Sequence, residues 1–401
     1  VTDGDGTWTY NIPDPSGERT VSVTNPVGSN YGIEFNASNT LASITNGGLV
    51  TSYYYDANNR LTIAVAPTGV RTFFFYDARG NVTQTSLRAP AGSGLANIDS
   101  SASFPSTCTN ERTCNLPEST TDSRGFRTDY SYDPTHGGLL TITAPAPTGT
   151  APVGSGARPQ TRFTYDDFSA YYKDGSGSIV AAPSQVWLPI ETSACATTSS
   201  CDAGADETLT LIDYGANGVA NNRLPVSETI QSGSGSVTST TAFSYDGVGN
   251  VLTVDGPLSG TDDTTRIRYD AMRQTIGVVG PDPDAGGSGL HRAQRLTYNE
   301  DGQVTITAQG TVTSQSDAAW ANFATLEEVN TAYDAQGRPT VSAFVAQSAT
   351  QAVMQYAYDD ASRLLCQTVR MNPAAFGSLP SSACTLGTQG SHGPDRITRF
   401  T

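Results

Sequence analysis

The sequence predicts an all-β protein made of repeated antiparallel β-hairpins. Its 40 Gly and 22 Pro residues, beside only 15% charged residues, describe a chain rich in turns and poor in helix formers. A short Tyr-Asp motif, as in "YDARGNV" from Tyr76, recurs between segments that alternate apolar and polar residues. Because open twisted sheets rarely exceed about ten strands, we expect one long sheet that curls or spirals as the wall of a shell, tube or fibre.

Each copy of the motif predicts the turn of one hairpin. The Asp carboxylate can accept backbone N–H groups two residues on, and a Gly or Asn four residues after the Tyr accepts the left-handed backbone of such a turn. This glycine is present as Gly80, Gly249, Gly302 and Gly337. Two degenerate copies begin at Phe35 and Tyr214. The nine copies that begin with Tyr-Asp or Tyr-Asn are Tyr55–Asp56, Tyr76–Asp77, Tyr132–Asp133, Tyr165–Asp166, Tyr245–Asp246, Tyr269–Asp270, Tyr298–Asn299, Tyr333–Asp334 and Tyr358–Asp359.

Glycines upstream of the motif complete the repeating element. Gly28, Gly48, Gly69 and Gly125 each stand seven residues before an aromatic residue of the motif. A glycine turn, a strand of about six residues, the Tyr-Asp turn and a return strand then form one hairpin, and about eleven hairpins supply roughly twenty strands. We assign residues 1–30 to an N-terminal segment with a degenerate repeat and residues 31–401 to the repeat array.

Long insertions follow the return strands rather than the Tyr-Asp turns. They lie around residues 89–120, 145–160, 181–208, 280–292, 308–330 and 370–395. We therefore expect the sheet to have one smooth edge and one edge crowded with loops. Within these insertions, "SDAAWANFATLEEV" places Trp320, Phe323 and Leu326 at helical spacing, which predicts one short helix or turn.

Six cysteines form three local pairs on the loop-rich side of the hairpins. An even count in close pairs predicts disulfides and an oxidising compartment, although spacing alone leaves the connectivity open and does not exclude free thiols. A zinc site is disfavoured because the chain has no C-x-x-C motif and its three histidines stand apart from the pairs. The pairs are Cys108 with Cys114, Cys195 with Cys201, and Cys366 with Cys384.

The charge of the chain argues against nucleic acid as a partner. The formal net charge is -16, with 38 acidic and 22 basic residues, so a polyanion would be repelled. No run of 18 apolar residues occurs, and we expect no membrane span. The chain begins at Val1 without a signal-like segment and stops at "DRITRFT", which matches the approach to another Tyr-Asp pair, so we expect a fragment cut in mid-repeat.

No motif selects a catalytic centre or a cofactor. Neighbouring acids such as Asp166 and Asp167 point to opposite faces of a strand, and His136 is expected in a solvent-exposed turn. No Ser or Cys stands in a nucleophile elbow, and the Gly-rich stretches lack the Lys-Ser/Thr pair of a phosphate-binding loop. Asp3 and Asp5 in "DGDG" are a weak calcium candidate, since the full loop of oxygen ligands is missing.

The repeated Tyr residues allow two interpretations. Tyr side chains at matching positions of neighbouring hairpins would stack across strands, and each pair would stabilise the sheet by about 0.2–1 kcal/mol. Alternatively, the rings would form an aromatic platform for sugars. Because the same Tyr recurs at the same point of each hairpin, we favour the structural ladder.

The repeat resembles that of the Rhs or YD-repeat family, which is named for its Tyr-Asp pair followed by Gly and an aliphatic residue. The resemblance rests on the nine copies and covers about Tyr31 to Thr401. Family members include bacterial Rhs toxins, wall-associated proteins, shell components of insecticidal toxin complexes and the teneurins. The resemblance implies a β-sheet spiral wound into a hollow shell, which in the bacterial toxins encloses a C-terminal toxic domain. The family's aspartate self-cleavage motif and variable toxin are not found in this sequence.

Three functions follow as hypotheses. We favour a non-catalytic structural segment of a secreted or surface-displayed bacterial protein, whose shell encloses a C-terminal cargo or forms an extracellular wall or fibre. The alternative is an adhesin-like module that binds glycans or proteins through the loop-bearing edge, and exposed Trp187, Trp320 and Phe323 would favour it. An enzyme is least favoured. Expected partners are the rest of the same polypeptide and, through unpaired edge strands, other copies of the chain.

Overall fold

The computed structural model describes residues 2–3, 6–11, 19–25, 28–284 and 286–400. Helix in these residues is confined to α1 (Asp317–Ala321) and one 3-10 turn (Pro373–Ala375), and neither is long and apolar enough to cross a membrane. The predicted all-β class is therefore confirmed. The strands are β1 (Thr2–Asp3), β2 (Gly6–Thr7), β3 (Thr9–Asn11), β4 (Arg19–Thr24), β5 (Asn30–Phe35), β6 (Leu41–Asn46), β7 (Leu49–Tyr55), β8 (Leu61–Val65), β9 (Arg71–Tyr76), β10 (Val82–Arg88), β11 (Ile98–Ser103), β12 (Ser119–Thr121), β13 (Arg127–Tyr132), β14 (Leu139–Thr143), β15 (Gln160–Lys173), β16 (Ile179–Cys195), β17 (Glu207–Tyr214), β18 (Pro225–Ser232), β19 (Thr238–Tyr245), β20 (Val251–Asp255), β21 (Thr265–Tyr269), β22 (Thr275–Val279), β23 (His291–Tyr298), β24 (Val304–Val312), β25 (Ala324–Tyr333), β26 (Pro339–Ala346), β27 (Ala349–Tyr358), β28 (Leu364–Arg370) and β29 (Arg396–Arg399).

The chain divides into two compact units. Unit 1 comprises Val1–Phe168, Val186–Leu211 and Ile230–Thr238, and unit 2 comprises Ser169–Gln185, Ile212–Thr229 and Ser239–Thr401. In unit 1 the strands from β3 to β15 pair antiparallel with their neighbours in chain order. In unit 2 the same holds from β19 to β29. Each unit is thus a run of antiparallel hairpins, while the start of the array at residue 31 stays a prediction.

The Tyr-Asp turn has one hydrogen-bond pattern in most copies. After Tyr55, the Asp56 N–H donates to the Arg60 carbonyl at 2.9 Å, and the Asn59 N–H donates to the Asp56 carbonyl at 3.0 Å. Asn59 has a φ of 60°, the left-handed conformation that closes a type I turn into a hairpin. One extra residue in the return strand then shifts the register directly before Tyr55. This geometry explains why the motif places Gly or Asn four positions after its Tyr.

Two copies place a residue other than Gly or Asn in the left-handed position. Arg273, after Tyr269, has a φ of 67°, and Ser362, after Tyr358, has a φ of 63°. Left-handed backbone costs an L-residue roughly 1–2 kcal/mol, because Cβ crowds the following carbonyl oxygen. The same position is occupied by glycine in the copies with Gly80, Gly249, Gly302 and Gly337.

The Tyr165–Asp166 copy is not a turn, which corrects the prediction. Both residues lie inside β15, and the chain turns only at Asp174, where the Gly177 N–H donates to the Asp174 carbonyl. The residue four positions after Tyr165 is Ser169 rather than Gly or Asn, whereas Gly177 adopts a φ of 85°. The hairpin therefore continues past the point at which the other copies turn.

Strand register gives each unit two distinct faces. Residues directly opposite in an antiparallel pair share a face, and neighbours along a strand alternate between faces. One face, here called the Tyr face, carries the residue two positions before each motif Tyr, such as Tyr130 in unit 1 and Phe243 in unit 2. The other, here called the loop face, carries the residues one and three positions before that Tyr, such as Asp129 in unit 1 and Gln355 in unit 2.

Inserted segments fold over the loop face. In unit 2, α1 and the residues after it bring Trp320 and Phe323 onto a small core of Val279, Ala293, Val312 and Ala319. The loop at 371–395 covers Gln355, whose Nε2 donates to the Pro380 carbonyl at 2.7 Å. In unit 1, Arg158 of the loop between β14 and β15 pairs with Asp129 at 2.6 Å. The sequence predicts the insertions at one edge of the sheet. In the structure these insertions also fold over one of its faces.

The Tyr-Asp edge is not smooth along its whole length, which corrects a second expectation. The loop that contains Cys108 and Cys114 joins β11 to β12 and lies at this edge, where Arg79 donates to the Pro105 carbonyl at 2.6 Å. On its other side, Asn110 donates to the Pro134 carbonyl at 2.8 Å. The loop therefore takes the place of one Tyr-Asp turn. The insertion expected at 181–208 is also largely strand, because β16 continues to Cys195.

Candidate functional site

The Tyr hydroxyls fasten hairpins to the hairpins that precede them. Tyr76 donates to the Leu61 carbonyl at 2.6 Å, and Leu61 is the first residue of the preceding return strand, β8. Each such Tyr is therefore a structural tether whose hydroxyl is committed to the backbone. The same bond to the first residue of a preceding return strand recurs as Tyr245 to Pro225 at 2.7 Å, Tyr298 to Thr275 at 2.8 Å, Tyr333 to Val304 at 2.9 Å and Tyr358 to Pro339 at 3.0 Å.

The motif Asp organises its own turn. The Oδ1 atom of Asp56 accepts the backbone N–H groups of Asn58 and Arg60, each at 2.9 Å. The N–H of Arg60 contributes most to lowering the pKa of the Asp56 carboxyl, which is therefore ionised at neutral pH. Equivalent pairs of backbone donors reach Asp77, Asp246, Asp270, Asn299 and Asp334.

An Arg that follows the turn connects neighbouring turns. Arg60 donates from Nε to Asp56 Oδ2 at 2.7 Å and from Nη1 to the Asp77 carbonyl of the next turn at 3.1 Å. Its guanidinium carbon lies 4.8 Å from the ring centroid of Tyr76, within cation–π range. These contacts cross-link the turns along the edge. Arg338 makes the same three contacts, with Asp334, Asp359 and Tyr358.

The motif also includes a threonine that we did not identify from the sequence. The Thr62 hydroxyl donates to the Tyr54 carbonyl at 3.0 Å, across the register shift before Tyr55. The signal is visible in the sequence as the Thr seven residues after the motif Tyr, in "RLT", "NVT", "QVT" and "RPT". The hydroxyls of Thr83, Thr305 and Thr340 make the same bond.

Disulfides join the cysteine pairs that the sequence proposes. The bonds are Cys108–Cys114, Cys195–Cys201 and Cys366–Cys384. Each bond closes or anchors an inserted loop, and an ion pair lies beside two of these loops. Arg370 meets Asp395 at 2.6 Å with side chains only 3% and 5% exposed, and the partly exposed Arg162 meets the buried Glu207 at 3.3 Å. These charges help to fix loops on the sheet, since Arg162 also donates to the Ser199 carbonyl at 3.3 Å.

His136 is packed rather than solvent-exposed, which corrects the sequence expectation. Its ring stacks on Trp187 with centroids 4.6 Å apart and meets the Tyr165 ring at 4.8 Å. Nδ1 accepts the Gly138 N–H at 3.0 Å, and Nε2 lies 3.5 Å from the Asp133 carboxylate. The histidine therefore supports the turn that follows Asp133.

Trp320 and Phe323 are covered by arginine side chains. Their ring centroids are 5.4 Å apart, and the Arg295 guanidinium carbon lies 4.5 Å from the Trp320 ring and 4.6 Å from the Phe323 ring. Arg268 lies 5.0 Å from the Trp320 ring. Trp187, by contrast, is 41% exposed. Trp320 and Phe323 thus lack the exposure that would favour an adhesin.

The described part of the chain contains no group of three or more His, Cys, Asp or Glu side chains placed to hold a metal ion. Asp5 of the weak calcium candidate lies outside the described residues, as does the side chain of Asp3. That site therefore stays a prediction. The adjacent acids Asp166 and Asp167 lie within β15, where alternation sends their side chains to opposite faces.

Comparisons with known proteins give only distant similarity. No protein-family model and no curated protein matches the chain. The chain spans less than a quarter of each of three solved chains to which it is similar, and their TM-scores are too low to assign a family or a function. Those chains come from the crystal structures of TcdB2-TccC3-Cdc42 (TM-score 0.32, 12% identity, 90% of this chain and 22% of that one), TcdB2-TccC3-TEV (0.31, 11%, 100% and 24%) and TcdB2-TccC3 (0.29, 12%, 96% and 24%).

Proposed function

We propose that this chain is a structural segment of a YD-repeat β-shell in a secreted or surface-displayed bacterial protein. The shell encloses or carries a C-terminal cargo, or forms an extracellular wall or fibre by pairing of edge strands. The observation that carries the proposal is the tether in which the motif Tyr bonds the first residue of a preceding return strand, as Tyr76 bonds Leu61. Because the motif Tyr hydroxyl already bonds to the backbone, its recurrence in successive hairpins is explained without a ligand.

The asymmetry of the two faces supports a wall. The insertions that pack on the sheet, such as α1 in unit 2 and the loop with Arg158 in unit 1, lie on the loop face. An enclosing wall needs one face toward its contents and one toward solvent. In this proposal the loop face is the outer surface, and the Tyr face, with Tyr130 and Phe243, is turned inward.

The chemistry of the packed charges supports a non-catalytic role. Arg370 donates to the Thr385 carbonyl at 2.8 Å as well as to Asp395, so its donors serve loop backbone. Arg158 likewise reaches the Thr143 carbonyl at 2.8 Å. Three disulfides on inserted loops are typical of proteins that work in an oxidising compartment outside the cytosol. In this proposal they protect the loops from proteases.

Protease protection tests the proposed function. The longest natural protein that contains this sequence is treated with a non-specific protease, and fragments are identified by mass spectrometry. We expect the segment that follows the repeats to survive in the native protein and to be cleaved once urea and a reductant open the repeats. The same segment expressed alone is the control. Cleavage at the same rate in the native protein and in the control would show that nothing is enclosed.

A further inference from the structure

An open groove lies on the loop face of β5, β6 and β7 in unit 1. Its volume is about 510 Å³, and the residues that matter for its chemistry are Glu34, Ser43, Ser52, Tyr54 and Asp56. Glu34, Ser43 and Ser52 stand directly opposite one another across the three strands. Tyr54 follows Ser52 two residues on, and therefore on the same face. The row of two serines forms a low floor between a carboxylate and an aromatic ring.

The groove stays open because no insertion within the described part of the chain folds over it. The turn between β6 and β7 consists of Gly47 and Gly48 alone. In two hairpins of unit 2 the loop-face position three residues before the motif Tyr holds a long side chain, Arg295 or Gln355, that an inserted segment contacts. In β7 this position is Ser52. The small side chain and the short turn together leave the space.

The lining of the groove is acidic and aromatic. Tyr54 is 54% exposed although it carries a large ring, and it shares the groove with the Glu34 carboxylate. The Glu34 carboxylate accepts the Ser43 hydroxyl at 2.8 Å, which leaves most of its acceptor capacity free. Among the described residues no Lys or Arg lines the groove, and the second carboxylate, Asp56, is already paired with Arg60 at 2.7 Å. Glu34 is thus the acidic group available to a ligand.

Within this chain, a guanidinium group binds between a carboxylate and an aromatic ring. Arg60 places its guanidinium between the Asp56 carboxylate, at 2.7 Å, and the Tyr76 ring, at 4.8 Å. A planar guanidinium can stack on a ring while its edge donates to a carboxylate, which a compact ammonium does less well. Glu34 and Tyr54 lie two strands apart and two residues out of register, so their backbones are about 12 Å apart. Both side chains line the same groove, so a group held between them can contact both.

We infer that the groove binds a guanidinium cation, stacked on Tyr54 and hydrogen-bonded to Glu34. The net charge of -16 would favour the approach of such a cation. The guanidinium belongs either to a small molecule or to an arginine side chain of a basic peptide segment. The inference is independent of the shell proposal, because it rests on the groove alone.

Titration by ligand-observed NMR tests the inference on the intact chain. The probes are N-acetyl-arginine amide, its neutral isostere N-acetyl-citrulline amide, and the peptide acetyl-Gly-Arg-Gly-amide. We expect saturable binding of both arginine probes, with the citrulline probe at least about tenfold weaker. Peptide binding more than about tenfold tighter than the amide assigns the site to a partner segment, and equal binding assigns it to a small molecule. Equal binding of arginine and citrulline overturns the inference.

Variants locate the binding. We expect Glu34→Gln to weaken arginine binding by about tenfold and Tyr54→Leu by about three- to tenfold, in line with one charge-assisted contact and one cation–π contact. Asp99→Asn, which removes an exposed charge on β11, is the matched control and should leave the affinity unchanged. Unchanged melting temperatures show that the variants fold. If all three variants weaken binding equally, the effect is that of net charge and the groove is not the site.

Discussion

The hydroxyl of Tyr245 donates a hydrogen bond to the carbonyl oxygen of Pro225 at 2.7 Å. Tyr245 ends the outgoing strand of one hairpin, and Pro225 begins the return strand of an earlier one. The bond thus links successive hairpins at the same edge, and the same relationship recurs for other motif Tyr residues. The tether therefore adds to strand pairing a second link between successive hairpins, at the ends that carry the turns.

Removal of one tether should lower stability by a small, definite amount. Tyr245→Phe keeps the ring and deletes the hydroxyl, so the Pro225 carbonyl loses its partner, at a cost of about 1 kcal/mol in the free energy of unfolding. Urea unfolding followed by circular dichroism measures the difference. Tyr54→Phe is the control, since Tyr54 is 54% exposed, and it should have no measurable effect. Equal effects of the two variants would argue against the tether.

Replacement of a strained turn residue should stabilise the protein. Ser362 adopts a φ of 63°, and Ser362→Gly relieves left-handed strain at the expense of some chain entropy. We expect a net gain of about 0.5 kcal/mol, measured by thermal unfolding. The reverse change, Gly337→Ser at a φ of 79°, should destabilise the equivalent turn. Arg338 Nη1 donates to the Ser362 hydroxyl at 3.2 Å, and a loss of stability in Ser362→Gly would mean that this bond outweighs the strain.

The sheet surface beneath Trp320 should not tolerate an added methyl group at Gly277. A Cβ atom added at Gly277 would lie 2.4 Å from Cη2 of Trp320, so Gly277→Ala must displace α1 from the sheet. We expect a loss of about 1–3 kcal/mol and faster hydrogen exchange in residues 313–323. Gly175→Ala is the control, because nothing lies within 4 Å of its added Cβ. Unchanged exchange in Gly277→Ala would contradict the packing of α1 on the loop face.

Acid should weaken the turns. Backbone N–H groups of Arg60 and Arg338 contribute most to lowering the pKa of Asp56 and of Asp334. A lowered folded-state pKa stabilises the fold above the ordinary Asp value of about 3.9, and this stability is lost as the pH falls below that value. We therefore expect a melting temperature that is flat from about pH 7 to 5 and falls below about pH 4. Asp334→Asn should reduce the fall, and a melting temperature that rises on acidification would refute the argument.

The hairpin repeat could be predicted from the sequence because it depends on local chemistry. Asp56 and Asn59 specify their turn through backbone bonds within five residues. Tyr165 shows the limit of such local reasoning. It precedes an Asp as in other copies, yet the chain turns only where Gly177 supplies a left-handed residue.

The tethers and the loop face could not be predicted, because both depend on register between strands distant in sequence. Nothing near Tyr298 in the sequence indicates Thr275 as its acceptor. α1 packs on the side of the sheet where Gly277 and Ala293 leave room for it. These two small residues lie on different strands and come together only when the strands pair. The packed state of His136 likewise depends on Trp187, some fifty residues away.

Cryo-electron microscopy of the longest natural protein that contains this sequence tests the central proposal most directly. We predict a hollow particle in which this chain forms part of the wall, with the disulfide loop at 371–395 and α1 on the outer surface and the Tyr face toward enclosed density. A wall with these insertions on the inner surface, or a solid particle without a lumen, would contradict the assignment of this chain as a shell segment.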